Sequence, residues 1–365
     1  MVRAVAVSAI VWLLVACTAP AAPTQAPTQA PTQAPTTAPT PSAEGPGEPE
    51  KDTLIIVQGS SPDYTQIALT KAIEFLNDRG IQTEFQSVDN TEVATRAVIA
   101  GQADVVVNSL YFGINAVTEG IPMVTVMVDA QSLDYLLISV PSVTDPKQLE
   151  DGGKVGINRP GDLGATVADQ CLKFSGVDVT KVEYVQVGGT GARMAALVAG
   201  ATDEGSLTIH AAPAHAAEAL SAQREAGLNV LVDCGEAVGS FLQTGATVSR
   251  EWLEANPNLA QHFVDAYIDA LRWAEDNKDE YIELSKEVIP DMPDDLRGPA
   301  YDVFYNAGMF PINGGLTAEA IEKLESIGLD AGSIEEPVPD NWYTMDLIEN
   351  YLERKGVREQ PNFRP

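Results

Sequence analysis

From Thr53 onward the chain alternates at short intervals between β-branched runs and segments with helical apolar spacing, and this alternation restricts the fold more than any other feature. Thr53–Val57 reads as a strand, and Gln66–Leu76 sets Ile67, Leu69, Ala72, Ile73 and Leu76 on one helical face. Phe85–Val88, Glu92–Ala100, Asp104–Asn108, Phe112–Thr118 and Pro122–Val128 continue the rhythm of strand and helix. After an extended run, Leu133–Val140, a second series begins. It comprises strand Lys154–Asn158, helix Asp162–Lys173, strand Val182–Val187, helix Ala192–Ala199, and strands Ser206–Ile209 and Val230–Asp233. Beyond Val248 the pattern turns helical, over Glu251–Asn277, Glu280–Val288, Asp302–Ala307, Ala318–Ile327 and Met345–Lys355. Parallel strands need such crossovers and are covered by helices on both faces, which leaves ligand sites to the carboxyl ends of the strands. The expectation is an α/β fold of two similar lobes with parallel-dominated sheets. Residues 53–138 with 240–345 form lobe 1 and its C-terminal helices, 139–239 form lobe 2, and 346–365 form a last helix and tail. Hinge strands are expected near Leu136–Val140 and Gln243–Val248, flanking a cleft.

The first fifty residues have a different character. Residues 1–17 carry one basic residue, Arg3, and an apolar run from Ala4 to Ala16, too short to span a bilayer permanently but suited to a signal peptide. The run ends in Leu14-Val15-Ala16-Cys17, which resembles a bacterial lipobox, with the Cys17 thiol as the site of lipid attachment. Residues 18–52 then repeat PTQA three times from Pro23 and continue in Pro, Thr, Ser, Ala and Gly, a composition with nothing to bury. At ~3.1 Å per residue such a disordered spacer reaches on the order of 100 Å. The expected location is extracytoplasmic, with the chain lipid-anchored to the bacterial cell membrane, in the periplasm or on the cell surface.

Charge and motifs narrow the chemistry. With 22 Lys and Arg against 52 Asp and Glu the formal charge is −30, which excludes nucleic acid as a partner, since phosphate binding needs a basic stripe. The chain has no GxSxG, HExxH or Walker A sequence; Gly188-Gly-Thr-Gly191 has Met194 where a dinucleotide loop needs its third glycine, and reads as a tight strand-to-helix turn. Pro213 between His210 and His215 breaks the one-face geometry of a helical metal pair, and His262 lies far along the chain, so neither metal nor cofactor is expected. Cys171 and Cys234 are compatible with a disulfide or with two buried thiols.

Several segments in order then carry a family resemblance. Ala97–Val105 (AVIAGQADV), Gly120–Val126 (GIPMVTV), Asp145–Leu149 with Gly153–Gly156, Ala195–Asp203, and Ser249–Pro257 followed by Phe263 and Ala270–Asn277 resemble the solute-binding lipoproteins of ABC importers of the SsuA-like and thiamine-precursor-synthase-like family. The resemblance implies a two-lobed, type II periplasmic-binding-protein-like fold. It also implies a monomeric, non-enzymatic receptor that hands a small molecule to an ABC permease and its ATPase. The family's eukaryotic pyrimidine synthase carries a CCCFC motif that this chain lacks. A sensory lipoprotein is the remaining alternative within the fold.

The strand-end loops supply the candidate ligand contacts: Ser60, Ser61, Asp63, Tyr64, Asp89, Asn108, Tyr111 and Asp129 in lobe 1, and Asn158, Arg159, Asp162, Gly189, Thr190 and His210 in lobe 2. Pro62-Asp63-Tyr64 resembles the turn at which thiamine-pyrimidine binders carry Pro and His, with Tyr64 in place of His. The carboxylates outnumber the cations Arg159 and Arg193. This favours a pyrimidine, thiamine-precursor or flavin-like heterocycle, which Asp acceptors and tyrosine faces can hold, over a sulfonate, taurine or nitrate-type anion.

Overall fold

Two crossings of the chain between two five-stranded sheets organise the molecule. In the computed structural model residues 45–360 are described, apart from 61, 89, 204–206 and 335–336. The expected signal peptide, Cys17, most of the spacer, Ser61 and Asp89 lie outside the described residues. The chain builds β1 (Thr53–Gln58), α1 (Tyr64–Asp78), β2 (Gln82–Ser87), α2 (Thr91–Ile99), β3 (Val105–Ser109), α3 (Leu110–Thr118) and β4 (Met123–Ala130). It crosses over to β5 (Tyr135–Ser139), β6 (Lys154–Ile157), α4 (Leu163–Phe174), β7 (Glu183–Gln186), α5 (Thr190–Thr202), β8 (Ala211–His215), α6 (Ala216–Ala226), β9 (Asn229–Asp233) and α7 (Cys234–Val238). It returns as β10 (Thr244–Ser249) and ends in helices α8 (Arg250–Ala255), α9 (Pro257–Asp276), α10 (Lys278–Val288), α11 (Asp294–Asn306), α12 (Ala318–Ala331) and α13 (Asp346–Lys355).

The sheet orders are β2-β1-β3-β10-β4 and β7-β6-β8-β5-β9. In each, four strands run one way and a single strand opposes them: β10 pairs antiparallel with β3 and β4, and β5 with β8 and β9. Both opposing strands are the ones that arrive directly from the other sheet. Because β4 and β9 finish at the carboxyl edge of their sheets, the crossing chain enters the next sheet at that same edge and must run back through it. Asp134, just before β5, and Gln243, just before β10, are therefore held at the cleft edge. The crossings support one another: Gln243 N donates to Ala130 O (2.9 Å) and Phe241 N to Gln131 O (2.9 Å). They pack tightly enough that a Cβ on Gly235 would lie 2.3 Å from Leu133 O.

Three expectations shift. The crossing lies at residues 131–134, because the whole of β5 belongs to the second sheet, so the segments expected as hinges are strand interior. The strand expected at Ser206–Ile209 is instead Ala211–His215, in the middle of the sheet. Pro213 has no N–H for a ladder, so β6 and β8 pair only at Val155 and Ala211. The buried Arg193 guanidinium takes up the free Pro213 carbonyl, at 3.2 and 3.1 Å. The spacer, expected to 52, engages the fold earlier: Glu50 accepts from Asn258 N and Leu259 N at the start of α9, each at 3.0 Å, and Lys51 pairs with Asp104 at 2.6 Å. Cys171 of α4 and Cys234 of α7, both fully buried, form a disulfide.

Candidate functional site

Residues from both sheets and from the C-terminal helices line an open cavity of about 600 Å³, with Glu218, Glu225 and Asp291 exposed. Pro62, Asp63 and Tyr64 come from the loop after β1, and Asp134 from the first crossing. Gly191, Met194, Ala195, Val198 and Ala199 come from α5, His215 from the end of β8, and Ala217, Glu218, Ser221, Ala222 and Glu225 from α6. Ile289, Asp291, Met292 and Pro293 in the turn before α11, with Phe304, close the far side.

Each wall has a local cause. Asp63 caps α1, its Oδ1 accepting from Thr65 N (2.9 Å) and Gln66 N (3.3 Å), while among the described residues Oδ2 has only Ser60 Oγ at 3.4 Å. Burial pushes the Asp63 carboxyl above the usual range, against the pull of His215 and Thr65. Tyr64 begins α1 and donates its hydroxyl to Arg297 O (2.7 Å); its ring lies 5.2 Å from that of Phe304. Arg297, 2% exposed, spends its guanidinium on the carbonyls of Ser285, Ile289 and Met292, which pins the turn forming the far wall.

A hydrogen-bonded acid–base pair lines the cavity where the crossing meets β8. His215 Nδ1 meets Asp134 Oδ2 at 2.9 Å and Oδ1 at 3.0 Å, and Gln243 Nε2 donates to Oδ1 at 3.3 Å. Tyr135 and His215 are register partners across β5 and β8, with rings 4.2 Å apart. Burial alone would lower the imidazole's pKa. The charge and hydrogen bond of Asp134, helped by Glu218 and Asp63, raise it instead, to about 9.

Of the residues expected at the site, Asp63 and Tyr64 line the cavity and Ser60 touches it through Asp63. Asn108 is buried, donating to Thr95 Oγ1 at 2.9 Å. Tyr111 is buried edge-on to Phe241, where desolvation holds its phenol pKa well up. Asp129 is buried with its Oδ2 accepting from Tyr267 OH at 2.8 Å, and burial lifts its carboxyl pKa to about 6. Arg159 is exposed and Asn158 half-buried after β6; Asp162 caps α4, accepting from Ala165 N at 2.8 Å. Gly189 caps α5, and Thr190 Oγ1 accepts from Arg193, beside the cavity but not in its wall. His210 does not face the cleft. It precedes β8 at the opposite edge of the sheet, its Nδ1 accepting from Lys154 N at 2.9 Å, and the displaced strand gives the cleft position to His215. Arg193, expected as a cleft cation, is committed to Pro213, Gly188 and Thr190. The sequence reading missed His215, Asp134, Glu218 and Gln243; the trace of the first was a histidine closing the small apolar run Ala211–Ala214. Among the described residues no cluster of three or more His, Cys, Asp or Glu could hold a metal ion.

The sequence profile of the family described as NMT1/THI5 like matches residues 61–281, more than half of the chain. The chain belongs to that family. No curated protein matches it in sequence. Among solved structures, the fold is similar to the periplasmic aliphatic sulphonate binding protein SsuA from Escherichia coli (14% identity, TM-score 0.62, covering 86% of this chain and 94% of that one). It is similar as well to the periplasmic nitrate-binding protein NrtA from Synechocystis PCC 6803 (13%, TM-score 0.57, 86% and 91%). A third similar structure is the zinc-bound ligand binding component of an ABC-type import system from Staphylococcus aureus (11%, TM-score 0.68, 82% and 98%). The NMT1/THI5-like chain thus has a periplasmic-binding-protein-like fold, with its cavity at the edge where the two sheets meet. No helix among the described residues is long and apolar enough to cross a membrane.

Proposed function

We propose that this protein is the extracytoplasmic solute-binding component of an ABC importer, tethered through lipid on Cys17. It captures a small organic molecule between its lobes and delivers it to a permease. The observation that carries the reading is the cavity itself: about 600 Å³ within reach of both sheets, mostly apolar in its lining, with a few convergent polar groups. A disulfide between Cys171 and Cys234 fits an oxidising compartment outside the cytoplasm. A binding role without catalysis accords with the structural neighbours SsuA and NrtA, although the desulfurization enzyme DSZB shares the fold at 18% identity, so the fold alone does not separate the two classes. The solute we favour is a heterocycle of the pyrimidine, thiamine-precursor or flavin kind, with Tyr64 and Phe304 as apolar walls and Asp63 as an acceptor. The sulfonate and nitrate binding named for the neighbours supports a second reading, an oxyanion held at helix N-termini. Thermal-shift and calorimetric titration of the purified protein with aminopyrimidines, thiamine, riboflavin, taurine, alkanesulfonates and nitrate separates them. Stabilisation by a heterocycle is the expected outcome. Stabilisation by taurine, alkanesulfonates or nitrate alone selects the second reading.

A further inference from the structure

The cavity's polar groups are unbalanced in charge and in hydrogen-bonding sense. Asp63, Asp134, Glu218, Glu225 and Asp291 line it, whereas among the described lining residues only His215 can carry positive charge, and its Nδ1 is already given to Asp134. Among the described residues Asp63 Oδ2 meets only Ser60 Oγ, at 3.4 Å, while its other oxygen caps α1.

Two amides behind the carboxylates complete the pattern. Gln243, 2% exposed, donates Nε2 to Asp134, and Gln58, also 2% exposed, donates Nε2 to Ser60 Oγ (3.0 Å), which in turn donates to Asp63 Oδ2. A carboxylate can only accept, so both chains of hydrogen bonds fix which end of each amide is nitrogen. The remaining atoms, Gln58 Oε1 and Gln243 Oε1, are buried without a partner among the described residues. Gln58 ends β1 and Gln243 precedes β10, so both stand at the cleft edge of the first sheet. Neither glutamine is part of the cavity wall; through Ser60 and Asp134 they hold the carboxylates in place as acceptors from behind. The cavity wall also has an apolar part, with Met194, Val198, Met292 and Phe304.

We propose that the cavity is specific for an organic cation, an ammonium or amidinium group on an apolar, planar-sized body, with the cationic head between Asp63 and Glu218 and the body against Met194, Met292 and Phe304. This rests on the receptor reading and narrows its solute class. An anionic head meets carboxylates without a free cation, and a neutral amide brings no charge to pair with them.

Three probes of one shape test it on the purified protein by isothermal titration: 2-naphthamidine, 2-naphthamide and naphthalene-2-sulfonate. The amidine is expected to bind at least about tenfold more tightly than the amide, with no detectable binding of the sulfonate. Asp63→Asn keeps the helix cap, since Asn caps as well as Asp, and is expected to erase most of that preference while the melting temperature stays close to the parent's. Glu218→Gln, at an exposed position, should narrow it as well. Equal binding of amidine and amide, or a preference unmoved by both substitutions, overturns the proposal. Binding of the sulfonate with the amidine silent overturns it and leaves the receptor reading standing. Silence of all three probes removes the support for both.

Discussion

At the scale of single residues the His215–Asp134 pair decides most. Its histidine carries a pKa of about 9 against an ordinary 6.5, so its contribution to stability is complete below about pH 6.5 and is lost as pH rises through 9. A shift of that size is worth up to about 3 kcal/mol. Asp134→Asn should therefore be least stable relative to the parent near pH 6 and should approach it above pH 9, as read by urea denaturation at a series of pH values. In the parent, the His215 imidazole followed by NMR should titrate near pH 9, and in the variant well below. A gap in stability that widens with pH would reverse the assignment. This histidine was not legible in the sequence, because the strand was expected at Ser206–Ile209 and His215 was weighed only as half of a helical metal pair that Pro213 breaks. In the fold Pro213 still pairs with Leu137 of β5, and the Arg193 guanidinium takes up its carbonyl, so the proline sits in a central strand. Asp63 and Tyr64 were legible, because a turn directly after a β-branched run and before a helical face must lie at the cleft edge whatever surrounds it.

At the scale of elements, strong periodicity survived and weak periodicity did not. The Val, Ile and Leu runs of β1, β3 and β4 and the spaced apolar residues of α1 and α4 are found as the sequence pattern implies. The Ala-rich β8 lacks the β-branched residues that mark a strand, and its place is set by neighbours rather than by propensity. The long helix expected over Glu251–Asn277 is broken at Asn256, whose ψ of 51° departs from the helical value ahead of Pro257, the first residue of α9. Two devices then fasten elements together. Glu50 supplies acceptors to the free N–H groups at the start of α9, and Glu50→Ala should cost about 1 kcal/mol, measured as a lowered urea midpoint at unchanged slope. The disulfide ties α4 to α7 across a separation of 63 residues. A loop of that length implies about 4 kcal/mol from restriction of the unfolded chain. The Cys171→Ser, Cys234→Ser double variant should melt several degrees lower, and the parent should fall to the same temperature in reductant. Identical melting with and without reductant in the parent would mean that the bond contributes nothing.

At the scale of the whole molecule the two sheets' sides are joined on two flanks, by contacts of unequal depth. On one flank Ser333, 5% exposed, shares a hydrogen bond with Thr166 Oγ1 (2.7 Å), donates to Gly161 O (2.9 Å), and accepts from Asn115 Nδ2 at its carbonyl (2.9 Å). Thr166 and Gly161 belong to the second sheet's side and Asn115 to the first, so one serine joins the two. On the other flank Arg224 of α6 meets Asp295 of α11 at 2.7 Å, but both side chains are more than half exposed. Exposed pairs contribute about 0–1 kcal/mol, whereas a buried hydrogen-bonded group left without its partners costs about 1–3 kcal/mol. Closure should therefore depend on the Ser333 flank. Ser333→Trp, which cannot fit between α4 and the end of α12, is expected to enlarge the radius of gyration in solution scattering and to weaken the solute's affinity at least about tenfold, some 1.4 kcal/mol. Arg224→Ala should leave the radius unchanged and alter affinity by less than about fivefold. If the two variants weakened binding equally, closure would be shared between the flanks and the buried serine would be packing rather than a latch.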